Sequence, residues 1–137
     1  MGATPIRELV FIFAADTGAI AVIKDSITKV LKLNGCSLCG ITHGLLGEKK
    51  EMKDCRAELG VPVDYKHRDE LSAAMTAAAE GKFPAVLART DEGYVKLLEP
   101  EVLNRCGGSV SALRGKLLFH AGSRNLELPL IAPDAKN

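Results

Sequence analysis

A continuous run of β-prone apolar residues near the amino terminus, Leu9-Val10-Phe11-Ile12-Phe13, constrains the fold more than any other feature of this sequence. The run lacks the alternation of apolar and polar residues that marks a strand with one face in water, so it predicts a strand buried on both faces. Such a strand needs other layers of structure on either side of it. The run ends before Asp16, which makes it too short to cross a membrane. It therefore predicts an α/β fold built around a central strand.

Helical and strand patterns alternate along the rest of the chain. Asp16 is a suitable N-cap, and apolar residues then recur at helical spacing as far as Asn34-Gly35, where the helix is expected to end. Glycines interrupt residues 35–47, so this segment is predicted to be a loop or a weak inserted helix. The remaining pattern predicts helices over 48–59, 68–80, 100–106 and 109–118, a strand over 61–65, and a hairpin with strands 84–88 and 94–98 around a turn at 91–93.

This order of elements predicts a mixed four-stranded sheet in an α/β fold. The strand–helix–strand crossover would make the first two strands parallel, and the closing hairpin would add antiparallel strands. Helices are then expected on both faces of the sheet. A chain of 137 residues fits one domain over residues 1–137, with a core in residues 8–118 and a tail over 119–137 that is docked or partly flexible.

Composition and charge argue against several classes of partner. The formal net charge is +1 with no stripe of Lys and Arg, and aromatic residues make up 4% of the chain. The chain thus lacks both the basic patch that would bind phosphates and the aromatic residues that would stack on bases. No nucleic-acid partner is expected. No signal peptide or membrane-length apolar segment is visible, so we expect a cytoplasmic protein with no membrane partner and with its cysteines in a reducing compartment.

The predicted order of elements resembles the thioredoxin-like fold, with strands at Leu9–Phe13 and Val61–Tyr65 and with Phe83-Pro84 leading into the hairpin before the last helix. The resemblance implies a three-layer sandwich with Pro84 where that fold has a cis-proline. Thioredoxin-like enzymes carry Cys-x-x-Cys directly after the first strand, whereas this sequence has Ala15-Asp16-Thr17-Gly18 there. The Asp-Thr-Gly turn followed by a Cys-x-Leu-Cys element also resembles a group of uncharacterised bacterial proteins, a resemblance that implies no activity.

The sharpest chemical feature is Cys36-Ser37-Leu38-Cys39 with His43 close behind it. If residues 36–43 are helical, the spacings i, i+3 and i+7 place both thiols and the imidazole on one face. The first interpretation is a dithiol that cycles between reduced and oxidised forms. In this hypothesis Cys36 is the exposed thiolate, Cys39 is its resolving partner and His43 is the base that tunes them.

Two other interpretations of the same residues stay open. Cys36, Cys39 and His43 can supply three ligands of a zinc or iron ion, with the fourth from water or from one of Asp16, Cys55, His67 and Cys106. Alternatively, the cysteines pack as compact apolar side chains, and the chain is a non-enzymatic domain that binds a partner or forms a homodimer. The three interpretations differ on whether the protein is an enzyme.

Asp16 and Thr17 form a second candidate site, for a cofactor. Asp16 follows the central strand, where α/β proteins often place functional groups, and Thr17-Gly18 at a helix start can bind an anion. The alternative for Asp16 is a structural role as an N-cap. Cys55 and Cys106 are predicted to be packing residues, because one lies on an apolar helix face and the other lies at a helix end.

Overall fold

The structure, a computed structural model, describes residues 3–14, 37–44 and 47–130. The helix predicted to follow Asp16 and the candidate residues Asp16, Thr17 and Cys36 lie outside these residues. The strands are β1 (Thr4–Pro5), β2 (Glu8–Phe13), β3 (His43–Gly44), β4 (Gly47–Glu48), β5 (Val63–His67), β6 (Ala85–Thr90), β7 (Gly93–Leu98) and β8 (Leu126–Glu127). The α-helices are α1 (Ser37–Thr42), α2 (Lys50–Leu59), α3 (Ala73–Ala79), α4 (Pro100–Arg105) and α5 (Val110–Ser123).

A mixed four-stranded sheet in the order β5-β2-β6-β7 forms the centre of the described structure. β5 runs parallel to β2, with Leu9 opposite Val63. β6 is antiparallel to β2, and β7 closes the sheet as the second strand of an antiparallel hairpin. The mixed sheet and its closing hairpin, both predicted from the order of elements, are thus confirmed.

Strand β2 is buried on both faces, as its uninterrupted apolar run predicts. Leu9, Phe11 and Phe13 belong to one buried cluster, and Val10 and Ile12 belong to another. The first cluster includes side chains from α1, α2, α4 and α5, whereas the second includes side chains from α3. The fold is therefore α/β, with helices packed on both faces of the sheet, and its relation to the thioredoxin-like sandwich stays a proposal.

The strand predicted over residues 61–65 begins two residues later, at Val63. Pro62 has no N–H to donate to a neighbouring strand, which disfavours it inside a ladder. Its carbonyl instead accepts a hydrogen bond from the Leu9 N–H at 3.0 Å, just before the pairing begins. The shift moves the end of β5 to His67, opposite Phe13 at the end of β2.

The single helix predicted over residues 68–80 is wrong, since the chain forms a 3₁₀ turn over Arg68–Glu70 and then α3. The Glu70 carboxylate accepts a hydrogen bond of 2.7 Å from the His67 N–H, and this bond caps the 3₁₀ turn at its start. Leu71 is extended, and Ser72 starts a new helix by accepting a hydrogen bond from the Met75 N–H. The Ser72 cap thus starts a separate helix where the sequence pattern had predicted one continuous helix.

The tail after the last helix docks on the body as far as the structure describes it. Ser109 caps α5, as predicted, but the helix continues to Ser123, beyond the predicted end at 118. β8 then pairs in parallel with β1, and Leu128 is buried. None of the helices in the described ranges combines the length and apolar character that crossing a bilayer requires. The Phe83–Pro84 peptide bond before β6 is cis.

Candidate functional site

The carboxyl ends of the parallel strands β2 and β5 meet at one edge of the sheet, and this edge carries an aromatic cluster. Phe13 ends β2, and Tyr65 and His67 lie near the end of β5. The rings of Phe13 and Tyr65 are stacked with their centroids 5.6 Å apart. Open α/β sheets commonly bind ligands beyond the carboxyl ends of their strands. This edge of the sheet is therefore a candidate functional site.

The short hairpin β3–β4 brings His43 onto this aromatic cluster. His43 follows α1 directly and is the cross-strand partner of Glu48. Its ring centroid lies 5.7 Å from that of Phe13 and 5.3 Å from that of Tyr65, in edge-to-face arrangements. Aromatic rings favour this geometry, so the contacts hold the imidazole against the end of the sheet.

Burial lowers the pKa of His43 below its usual range, because desolvation penalises the charged imidazolium. The negative charge of Glu48 acts in the opposite direction, and the positive charge of Arg56 acts with burial. The imidazole is consequently neutral at pH 7. A neutral imidazole can accept a proton or bind a metal ion, whereas the protonated form can do neither.

Thr42 anchors the imidazole to the end of α1. Its side chain is fully buried, and its Oγ1 lies 3.0 Å from the Leu38 carbonyl oxygen and 2.6 Å from His43 Nδ1. The Thr42 carbonyl in turn accepts a hydrogen bond from the Lys49 N–H at 2.9 Å, across the β3–β4 hairpin. Thr42 therefore connects the helix, the hairpin and the histidine ring.

Glu48 forms the polar side of the cluster. The Arg56 guanidinium donates two hydrogen bonds of 2.7 Å to its carboxylate, and the Tyr65 hydroxyl donates a further one. The bonds from Arg56 hold the pKa of Glu48 below its usual range. Burial, reinforced by the neighbouring carboxylate, raises the pKa of Tyr65. Across physiological pH, Glu48 is therefore charged and Tyr65 remains a hydrogen-bond donor.

The structure describes the predicted Cys36, Cys39 and His43 site only in part. Cys39 lies in α1, so helical backbone at this position agrees with the sequence argument. The helix ends at Thr42, however, and His43 begins β3, so residues 36–43 are not helical throughout, as the shared-face argument requires. Within the described ranges, no group of three or more His, Cys, Asp and Glu residues is arranged to hold a metal ion.

Cys55 and Cys106 are packing residues, as predicted from their positions. They are 3% and 5% exposed and belong to the cluster on the α2 and α5 side of the sheet. Burial raises the pKa of both thiols, so both stay protonated and unreactive near neutral pH. Cys55 also borders a surface groove of about 300 Å³ between α2 and α5, where it is joined by Glu58 and Arg114. Any thiol assay on this protein therefore needs a control at Cys55.

Sequence reasoning missed four residues that surround His43, namely Thr42, Glu48, Arg56 and Tyr65. A buried threonine and a strand tyrosine carry no functional signal in a single sequence. Glu48 and Arg56 lie eight positions apart, which is not a spacing at which helical side chains meet. They meet because β4 leads into α2 through a short connection at Lys49, and no local pattern predicts that geometry.

Comparisons with protein-family models, with curated proteins and with solved structures found no match to this chain. The group around His43 is the place among the described residues where a neutral base, a charged network and a strand-end location coincide.

Proposed function

We propose that this chain is a thiol-dependent protein of the reducing cytosol that transfers electrons to a disulfide substrate. In this proposal, Cys36 is the reactive thiolate, Cys39 is the resolving thiol and His43 is the base. The observation that carries the proposal is the neutral, half-buried imidazole that directly follows the helix containing Cys39. A neutral imidazole can accept the proton of a nearby thiol, and the imidazolium so formed stabilises the thiolate, which is the nucleophilic form of cysteine.

The proposed reaction is a thiol–disulfide exchange in two steps. The imidazole accepts the Cys36 proton, and the thiolate attacks one sulfur of the substrate disulfide, which releases the other sulfur as a thiolate. Cys39 gives its proton to the substrate thiolate released first and, as a thiolate, attacks the Cys36 sulfur. The second substrate sulfur leaves and takes the proton held by His43. The chain is left with a Cys36–Cys39 disulfide, and the substrate has gained two electrons. A dithiol reductant of the cytosol would return the chain to its reduced form.

Mild oxidation is expected to remove two free thiols from the wild-type protein and none from Cys36→Ser. The reason is that only Cys36 and Cys39 are proposed to form a bridge, whereas Cys55 and Cys106 are buried. Titration of free thiols in denaturant before and after oxidation measures this. The matched control is Cys55→Ser, which should lose two thiols as the wild type does. Loss of two thiols in both the wild type and Cys36→Ser would contradict the proposal.

The substitution His43→Gln is expected to slow alkylation of Cys36 at pH 7 by at least about tenfold, because it removes the base that favours the thiolate. The initial rate of modification by iodoacetamide, located by mass spectrometry, measures the effect. His67→Gln is the matched control, since His67 lies at the same sheet edge with its ring 6.0 Å from that of Phe13. Equal rates in His43→Gln and the wild type would show that His43 is not the base.

A metal site is the second candidate, and the contact between Thr42 and His43 is the observation that favours it. Histidine ligands commonly bind a metal through one ring nitrogen while the other is held by a hydrogen bond, as Nδ1 is here. Cys36, Cys39 and His43 would then hold zinc or iron. Elemental analysis of protein purified without chelator separates the two functions. Close to one equivalent of either metal, lost in His43→Gln, would replace the redox proposal.

The third candidate, a non-enzymatic binding or homodimer-forming domain, is distinguished by thiol accessibility. If Cys36 and Cys39 react with a bulky thiol reagent only after denaturation, they are packing residues. Light scattering would then establish whether the partner is a second copy of the chain.

A further inference from the structure

We infer that Thr42 is a positioning residue that fixes the neutral tautomer of His43 and leaves its Nε2 as the proton-accepting atom. The inference rests on the proposed function for its chemical consequence.

The hydroxyl of Thr42 has a single proton to donate. The side chain is fully buried, so the hydroxyl has no bulk water with which to exchange hydrogen bonds. Its Oγ1 lies 3.0 Å from the Leu38 carbonyl oxygen, which can only accept. A threonine near the end of a helix commonly donates its proton to the carbonyl four residues earlier, as here.

The second contact of the hydroxyl then determines the state of the histidine. Oγ1 lies 2.6 Å from His43 Nδ1, a short distance that requires a proton between the two atoms. The hydroxyl proton is committed to the Leu38 carbonyl, so both bonds exist together only if Nδ1 carries a proton and donates it to Oγ1. In the neutral ring, Nε2 is then the nitrogen with the free lone pair.

Thr42 is itself held in place, as a residue that orients the His43 ring must be. Its carbonyl accepts a hydrogen bond from the Lys49 N–H, so its backbone is held by the hairpin as well as by α1. A β-branched side chain has few accessible χ1 rotamers, which reduces the freedom of the hydroxyl. The edge-to-face contacts of His43 with Phe13 and Tyr65 restrict the ring from the other side. Threonine therefore supplies both the acceptor and its orientation.

The test compares Thr42→Val, which keeps the shape and removes the hydroxyl, with Thr42→Ser, which keeps the hydroxyl. The ¹⁵N shifts of the imidazole nitrogens are measured at a pH where the rings are neutral, and the His43 signals are assigned by their loss in His43→Gln. We expect protonated Nδ1 in the wild type and in Thr42→Ser, and a redistribution towards protonated Nε2 in Thr42→Val. Protonated Nε2 in the wild type, or unchanged shifts in Thr42→Val, would overturn the inference. If Thr42→Val fails to fold, the wild-type spectrum still tests the tautomer, and protonated Nε2 there overturns the inference.

Alkylation of Cys36 in the same variants separates this inference from the proposed function. If both hold, the rate at pH 7 falls about three- to tenfold in Thr42→Val, as loss of one hydrogen bond to the base predicts, and Thr42→Ser restores it. A tautomer that changes in Thr42→Val while the Cys36 rate stays constant would contradict the role of His43 in the thiol chemistry. The assignment of the tautomer to Thr42 would nevertheless be supported by that result.

Discussion

Replacing Gly60 with alanine is expected to lower the free energy of unfolding by about 3 kcal/mol. Gly60 ends α2 in the left-handed conformation, with φ of 75°, where a Cβ atom is strained. A Cβ at this position would also lie 2.0 Å from the Pro129 carbonyl oxygen. Because the obstructing atom belongs to the backbone, the C-terminal segment would have to move, and the pairing of β8 with β1 would be disturbed. Chemical denaturation measures the loss.

Gly81→Ala is the matched control for that substitution. Gly81 has φ of 68°, close to that of Gly60, but a Cβ there would have no heavy atom within 4 Å. Its substitution therefore isolates the backbone strain, which is worth about 1–2 kcal/mol. Equal losses of stability in the two variants would show that the tail is not packed against the end of α2 as described.

Glu48→Ala is expected to destabilise the protein by about 2 kcal/mol. Glu48 is 12% exposed, and its removal leaves the Arg56 guanidinium and the half-buried Tyr65 hydroxyl without their carboxylate. Arg56 is 36% exposed, so water recovers part of its solvation and the loss stays below that of a fully buried pair. Chemical denaturation at pH 7 measures the effect. Glu51→Ala on the exposed side of α2 is the control, with an expected change within about 0.5 kcal/mol.

The same carboxylate contributes to the pH dependence of stability. Because the folded state lowers the pKa of Glu48, its stabilising contribution is complete above about pH 4.3, the ordinary pKa of glutamate. That contribution is lost as the pH falls from there through the lower pKa of the folded state. The Glu48→Gln variant has no carboxylate to protonate. Its free energy of unfolding should consequently fall less than that of the wild type between about pH 5 and about pH 3, a range that spans the ordinary pKa of glutamate. Parallel stability curves would contradict the charged network around Glu48.

Local sequence patterns predicted the framework of this fold because each depends on neighbouring residues. The apolar run Leu9–Phe13 specifies burial on both faces, and β2 is buried on both faces. The hairpin signal around 91–93 was also correct, although the strands extend to Thr90 and begin again at Gly93. The Thr90 hydroxyl tightens this turn by accepting a hydrogen bond from the Glu92 N–H. That contact is local, but propensity alone does not predict it.

The surroundings of His43 were decided by tertiary structure. The sequence singled out His43 for its spacing from Cys36 and Cys39 on an assumed helix over residues 36–43, but α1 ends at Thr42. What determines the chemistry of the ring is its contact with Tyr65, twenty-two positions later in the sequence, and with the network of Glu48. These contacts arise only when β5 aligns with β2 and the β3–β4 hairpin folds over their ends.

The sequence by itself therefore determined the alternation of strands and helices, the mixed sheet with its closing hairpin, and the packing roles of Cys55 and Cys106. Only the tertiary structure decided that Thr42 holds a neutral histidine against the carboxyl end of the sheet. The physical reason is the distance along the chain over which each interaction acts. Burial periodicity and turn chemistry act over a few residues and leave a trace in the sequence, whereas desolvation and hydrogen bonding at His43 depend on groups that meet only after the chain has folded.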